Sequence, residues 1–284
     1  MSLGRLDIAV KEFKKAIKFD FTDVEAHANL GMAYYEQGKI DEAIKEFEIC
    51  LQLEPDNEAA LGNLGNLHNT RDEKEESVKY YKKLLEVNPD CFEGHNNLGL
   101  TYYELEELDL AEISLKKAYE IEDRTAILYN LAIVAYKKKD LNRAIELLKK
   151  IYDIDSQNQN VNFNLGTIYL SQGKYEDALV HLKNTVEIDP NDGIAWEKLG
   201  SLFLKMEQID SALKAYKKAL DIDPDDPETH EGMARVYLSQ GNYKLAEIAI
   251  ENTIKLDSDR PSAYYVKGLF HGSKGEREDA YNYY

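Results

Sequence analysis

Asn29, Asn63, Asn97, Asn130 and Asn164 follow one another at intervals of 34, 34, 33 and 34 residues. Asn is a poor helix former whose side chain competes for backbone hydrogen bonds, yet each of these sits beside a Leu-Gly or Leu-Ala pair inside an amphipathic helical pattern. A carboxamide carries an oxygen acceptor and two N–H donors. A row of them suits the C=O and N–H groups of an extended peptide backbone. The other chemistry-bearing residues are less well arranged. The six histidines, His27, His68, His95, His181, His230 and His271, show no metal-ligand spacing, and five of them stand where a core aromatic is expected. Cys50 and Cys91 are far apart and lack a metal-binding motif, so reduced intracellular thiols in a cytoplasmic protein are the expectation. No P-loop, Gly-rich dinucleotide turn or Gly-x-Ser-x-Gly elbow is present. No catalytic residue, metal or cofactor is assigned, and an enzyme is not expected.

What positions the asparagines is a repeat. The chain falls into register on itself about every 34 residues, and such a period is the mark of a stacked array. With each Leu-Gly pair at positions 7 and 8, units begin at Val24, Glu58, Phe92, Thr125, Gln159, Gly193, Pro227 and Pro261. Position 8 is always Gly or Ala, position 20 is Ala or Ser, and position 24 is large, from Phe13 and Phe47 to Tyr284. Positions 4, 7, 8 and 11 make one helical stripe, and positions 20, 24 and 27 make a second. Breakers such as Gln37-Gly38-Lys39 lie between them. Each unit is therefore two antiparallel helices whose small residues let the backbones approach. Asn57, Asp192 and Asp226 are the expected helix caps.

The motif resembles the tetratricopeptide repeat (TPR) family over nearly the whole chain. One unit carries it as Trp196, Leu199, Gly200, Phe203, Ala212, Tyr216, Ala219 and Pro224; another as His27, Leu30, Gly31, Tyr34, Ala43, Phe47, Cys50 and Pro55. The resemblance implies an all-α fold, a right-handed α-solenoid whose first helices line a concave groove. It also implies that positions 2, 5, 6, 9, 12 and 13 face that groove. Position 6 holds the five asparagines, and Asn66, Asn96, Tyr103, Tyr129, Lys198 and Arg235 occupy other groove positions or continue that one. The series is similar to the asparagine ladder in the repeat region of the O-linked N-acetylglucosamine transferases, which holds peptide backbones with little regard to sequence. Neighbouring helices about 8–10 Å apart would match a strand rising about 3.3 Å per residue, so four intervals cover about ten to twelve residues. A generic groove residue, or a bond to a neighbouring helix, is the alternative reading of the same asparagines. From Gly193 onward the groove becomes charged, with Glu197, Lys198, Lys205, Glu228, Glu231 and Arg235, although Glu231 and Arg235 also suit a simple i,i+4 pair. The family's carboxylate clamp for chaperone tails is not matched, because Gly62 stands where its lysine belongs.

Composition bounds the partners. Lys and Arg number 35 against 53 Asp and Glu, a formal net charge of −18, which repels nucleic acid and anionic membranes. The apolar run at 126–136 is too short to span a bilayer, so no membrane insertion is expected. The domain expectation is a single solenoid over 1–284: a partial repeat at 1–23, full repeats at 24–57, 58–91, 92–124, 125–158, 159–192, 193–226 and 227–260, and a truncated repeat at 261–284. Both ends fall inside a repeat, so a piece of a longer array is expected, with self-association through exposed ends as a consequence. The function expected is a protein-interaction scaffold for a protein or peptide partner. The alternatives are the substrate-presenting arm of a larger enzyme, such as a glycosyltransferase, or a self-assembling scaffold.

Overall fold

A computed structural model describes residues 3–281 and 283; Tyr284 lies outside the described residues. Among those described, every regular element is a helix, 17 in all. They divide into two compact units, residues 1–147 and 148–284. The first holds α1 (Leu3–Phe19), α2 (Val24–Glu36), α3 (Ile40–Leu53), α4 (Glu58–Thr70), α5 (Lys74–Val87), α6 (Phe92–Glu104), α7 (Leu108–Ile121) and α8 (Thr125–Lys137). Helix α9 (Leu141–Ile154) crosses the boundary. The second holds α10 (Gln159–Ser171), α11 (Tyr175–Ile188), α12 (Gly193–Lys205), α13 (Ile209–Ile222), α14 (Pro227–Ser239), α15 (Tyr243–Leu256), α16 (Pro261–Lys274) and α17 (Arg277–Tyr281).

Helices pack in tandem pairs: α2 on α3, α4 on α5 and α6 on α7 in the first unit, then α10 on α11, α12 on α13 and α14 on α15 in the second. First helices also touch the next first helix, α4 to α6 to α8 and α10 to α12 to α14 to α16. Each unit therefore presents a face built from first helices alone. The starts follow from capping: Asp23, Asn57, Asn158, Asp192 and Asp226 each accept a backbone N–H three residues on. The Cys91 sulfur takes that role for α6, at 3.4 Å from the Gly94 nitrogen.

Packing within a pair depends on the small residue at position 8. A Cβ added at Gly65 would lie 2.4 Å from the Tyr81 ring, so the α4 backbone rests on that aromatic face. Position 20 is fully buried at Ala43, Ser77, Ala111, Ala144, Ala178, Ala212 and Ala246. In the first unit Leu30, Tyr34, Phe47, Cys50 and Leu64 form a continuous core, and in the second Tyr216, Met233, Val236, Ile250, Val266 and Phe270 do the same. Burial pushes the Cys50 thiol up to about 11, which keeps it a protonated packing group.

Every turn between the two helices of a pair places position 15 in the left-handed region. Gly38, Gly173, Gly241 and Gly275 have φ between 69° and 81°, and Asp72, Glu106, Lys139 and Glu207 have φ between 58° and 67°. A second recurrent device involves position 4, whose side chain reaches back to the carbonyl six residues earlier and pins the preceding loop. The pairs are His27 to Phe21 at 3.1 Å, His95 to Pro89 at 2.8 Å, Asn162 to Ser156 at 2.8 Å, Trp196 to Pro190 at 2.9 Å, His230 to Pro224 at 3.0 Å and Tyr264 to Ser258 at 2.9 Å. Leu61 and Leu128 occupy the remaining two positions and are simply buried.

Candidate functional site

The face of first helices in the first unit is crossed by a chain of side-chain amides. The Tyr81 hydroxyl donates to Asn66 Oδ1 at 2.6 Å, and Asn97 Nδ2 donates to the same oxygen at 3.0 Å. Asn96 Nδ2 then donates to Asn97 Oδ1 at 3.0 Å, and Asn130 Nδ2 makes a long contact of 3.5 Å with Asn96 Oδ1. Three helices, α4, α6 and α8, are joined in this way. The bond to a neighbouring helix, which the sequence left open for these residues, is therefore present. It consumes only part of each amide's capacity of two donors and two acceptor lone pairs. Asn66 keeps both N–H donors, since its oxygen already accepts two bonds. Asn97 and Asn96 each keep one donor and one acceptor position.

The remaining asparagines are placed differently. Asn63 donates to the Ala59 carbonyl of its own helix at 2.8 Å. Asn29 is exposed on α2, and Asn164 is half-buried at the same register of α10 in the second unit. Asn63 and Asn66 together line a shallow depression of about 290 Å3 with Glu58, Gly62 and Glu93. Tyr103 is half-buried, with the Lys137 ammonium 4.9 Å from its ring centre, and Tyr129 is half-buried on α8.

In the second unit the corresponding face opens into a cavity of about 730 Å3. It is lined by charged residues of α12 and α14, among them Glu197, Lys198, Lys205, Glu228, Glu231 and Arg235, and by Arg260. Lys198 and Arg235 are not loose cations. Lys198 pairs with Glu197 at 2.8 Å, and Arg235 pairs with Glu231 at 2.9 Å while standing 5.9 Å from the Tyr265 ring centre. Glu231 also accepts from Arg260 Nε at 2.8 Å and Ser262 Oγ at 2.5 Å, and Arg260 extends to Glu228 at 2.7 Å. Burial by itself would raise the Glu231 carboxyl, but hydrogen bonds from Arg260, Ser262 and Arg235 hold it below the usual range. Glu197 is driven the other way: burial pushes its carboxyl up, and Lys198 offsets only part of that. The repeat pattern does not single out Arg260 and Ser262. They flank the start of α16, where Pro261 is the visible signal.

Outside the two faces, one group among the described residues brings a His nitrogen and two carboxylates within 4.8 Å, His271 with Glu276 and Asp279. His271 Nδ1 is already paired with Glu276 at 2.7 Å, and its ring stacks on Tyr283. His181 sits against Asn162 Oδ1 at 3.0 Å between Tyr152 and Tyr169, and burial lowers its pKa. No described helix is long and apolar enough to cross a membrane.

Family models described as Tetratricopeptide repeat match residues 24–57, 63–126 and 135–202, and one described as TPR repeat matches 1–38 and 200–241. The chain belongs to the tetratricopeptide repeat family. Solved TPR structures share its fold. A tetratricopeptide repeat protein from Parabacteroides merdae superposes with a TM-score of 0.65 at 16% identity, covering 87% of this chain and 98% of that one. A chain of the APC/C hetero-tetramer Cut9-Hcn1 gives 0.64 at 16% identity over 92% of this chain. The TPR chain spans about half of that relative, 52% of its length. YrrB, a TPR protein with an unusual peptide-binding site, gives 0.56 at 22% identity, covering 64% of this chain and 95% of its own. No curated protein matches the sequence.

Proposed function

We propose that this TPR chain is a non-catalytic scaffold that binds an extended peptide segment of a partner protein across the face of its first helices, with asparagine amides contacting the peptide backbone. The observation that carries the reading is the amide chain from Asn66 through Asn97 and Asn96 to Asn130. Bonds between these side chains hold them in fixed orientations, so their remaining donors and acceptors need little ordering when a peptide arrives. A backbone group presents one donor and one acceptor, the pair that Asn97 and Asn96 each retain. YrrB, a TPR protein with an unusual peptide-binding site, supports the same reading.

The test is the combined substitution Asn63→Ala, Asn97→Ala and Asn130→Ala, with retention of a soluble dodecapeptide library as the readout. Each lost hydrogen bond is worth roughly 0.5–1.5 kcal/mol, so retention should fall by about ten-fold or more while helical circular dichroism is kept. Unchanged retention on a folded triple variant rejects the reading.

A further inference from the structure

Resting on the reading of the first-helix face as a peptide-binding surface, we propose that the cavity of the second unit seats the guanidinium of an arginine side chain of a peptide segment against Glu197. Two buried carboxylates meet this cavity, and they are provided for very differently. Glu231, 9% exposed, accepts from Arg235, Arg260 and Ser262. Glu197, 8% exposed, has Lys198 as its cation, the adjacent residue of its own helix, at 2.8 Å. A buried carboxylate is costly unless several donors satisfy it. Glu197 thus lacks the second partner that Glu231 has.

The wall of the cavity is shaped by a change in the repeat. Position 6 of α14 is Gly232, where the first unit carries asparagine. A Cβ there would lie 2.3 Å from Tyr216 Cζ and 2.6 Å from its hydroxyl oxygen. The glycine lets the phenol end of Tyr216 rise beneath the α14 backbone, and both residues line the cavity. At about 730 Å3 the cavity is within the range of pockets that take compact ligand groups.

The sign of the guest follows from the existing pairs. Arg235 and Arg260 are committed to Glu231 and Glu228, and Lys198 to Glu197. An incoming carboxylate would have to break one of these pairs and approach two buried carboxylates. A guanidinium adds its planar set of donors to Glu197 without displacing Arg260. The formal net charge of −18 also attracts basic segments.

The probe is a fluorescein-labelled dodecapeptide of Gly, Ser, Ala and Asn with a central Arg, compared with versions carrying Lys, Ala or Glu there. Fluorescence anisotropy is read on the wild-type chain and on Glu197→Gln, whose fold is checked by circular dichroism. On the wild type the Arg peptide should bind about ten-fold tighter than the Ala peptide. On Glu197→Gln that ratio should fall to about three-fold or less, and reading a ratio cancels any general loss. An Arg advantage that survives Glu197→Gln, or a Glu peptide that binds the wild type most tightly, overturns the proposal. If all four peptides bind the wild type equally, the peptide-binding face stands and the arginine seat falls. If none binds, both fall together.

Discussion

The indole of Trp196 donates to the Pro190 carbonyl at 2.9 Å, and in five other repeats a His, Asn or Tyr at the same position does the equivalent. The sequence shows these residue types together at position 4, and reads as core aromatics with substitutes. What unites them is a donor rather than a ring, which explains how Asn162 can stand where Trp stands elsewhere. Trp196→Phe keeps most of the packing and removes the hydrogen bond, so it should cost about 1 kcal/mol of unfolding free energy in a denaturant titration. No loss would mean that the ring alone matters. Glu197 gives a second prediction at this scale. Its folded pKa is raised, chiefly by burial, so the native state holds the proton more tightly than the unfolded chain does. Stability from this group is present at acid pH and is lost as pH rises from the unfolded carboxyl range through the raised native value. Lys198 acts against the shift, while Asp226 and Glu228 add to it. Glu197→Gln should therefore raise Tm at neutral pH, with the gain shrinking toward pH 4. A lower Tm at neutral pH would contradict the burial account.

At the scale of helices and turns, the fold was open to reading because one period governs everything. Gly38 and Gly173 announce their turns by residue type, since a left-handed φ costs Gly nothing. Asp72, Glu106, Lys139 and Glu207 take the same conformation without announcing it, and only register identifies them. The repeat imposes a backbone that these side chains tolerate at a cost of about 1–2 kcal/mol. Glu207→Gly should therefore stabilise the chain by about 0.5–1 kcal/mol after the entropy of the added glycine is counted. Gly173→Ala should destabilise it by about 1 kcal/mol. Both are read from the same chemical denaturation curves, and the opposite signs would show that the turn does not hold its left-handed residue. The site was less open to reading at this scale. Asparagine at position 6 is visible in the sequence, but the link from Asn66 to Asn97 depends on how far apart α4 and α6 stand, a distance no single helix encodes. The Arg260 contacts are similar, since this residue lies between repeats and reaches Glu228 and Glu231 by way of the loop before α16.

For the molecule as a whole, the repeats supply two compact units, each with a face made from first helices. The first unit lays neutral amides along that face and the second places paired charges there. The formal net charge of −18 favours the approach of basic partners. The central claim is that the amides of the first helices touch the bound backbone. Side-chain Nδ2 resonances of 15N-labelled protein, assigned by single substitutions, report this directly during titration with the dodecapeptide that carries Ala at its centre. The account predicts shifts at Asn63, Asn97 and Asn130, with Asn184 and Asn252 of the second helices unmoved. Shifts confined to Asn184 and Asn252 would contradict it.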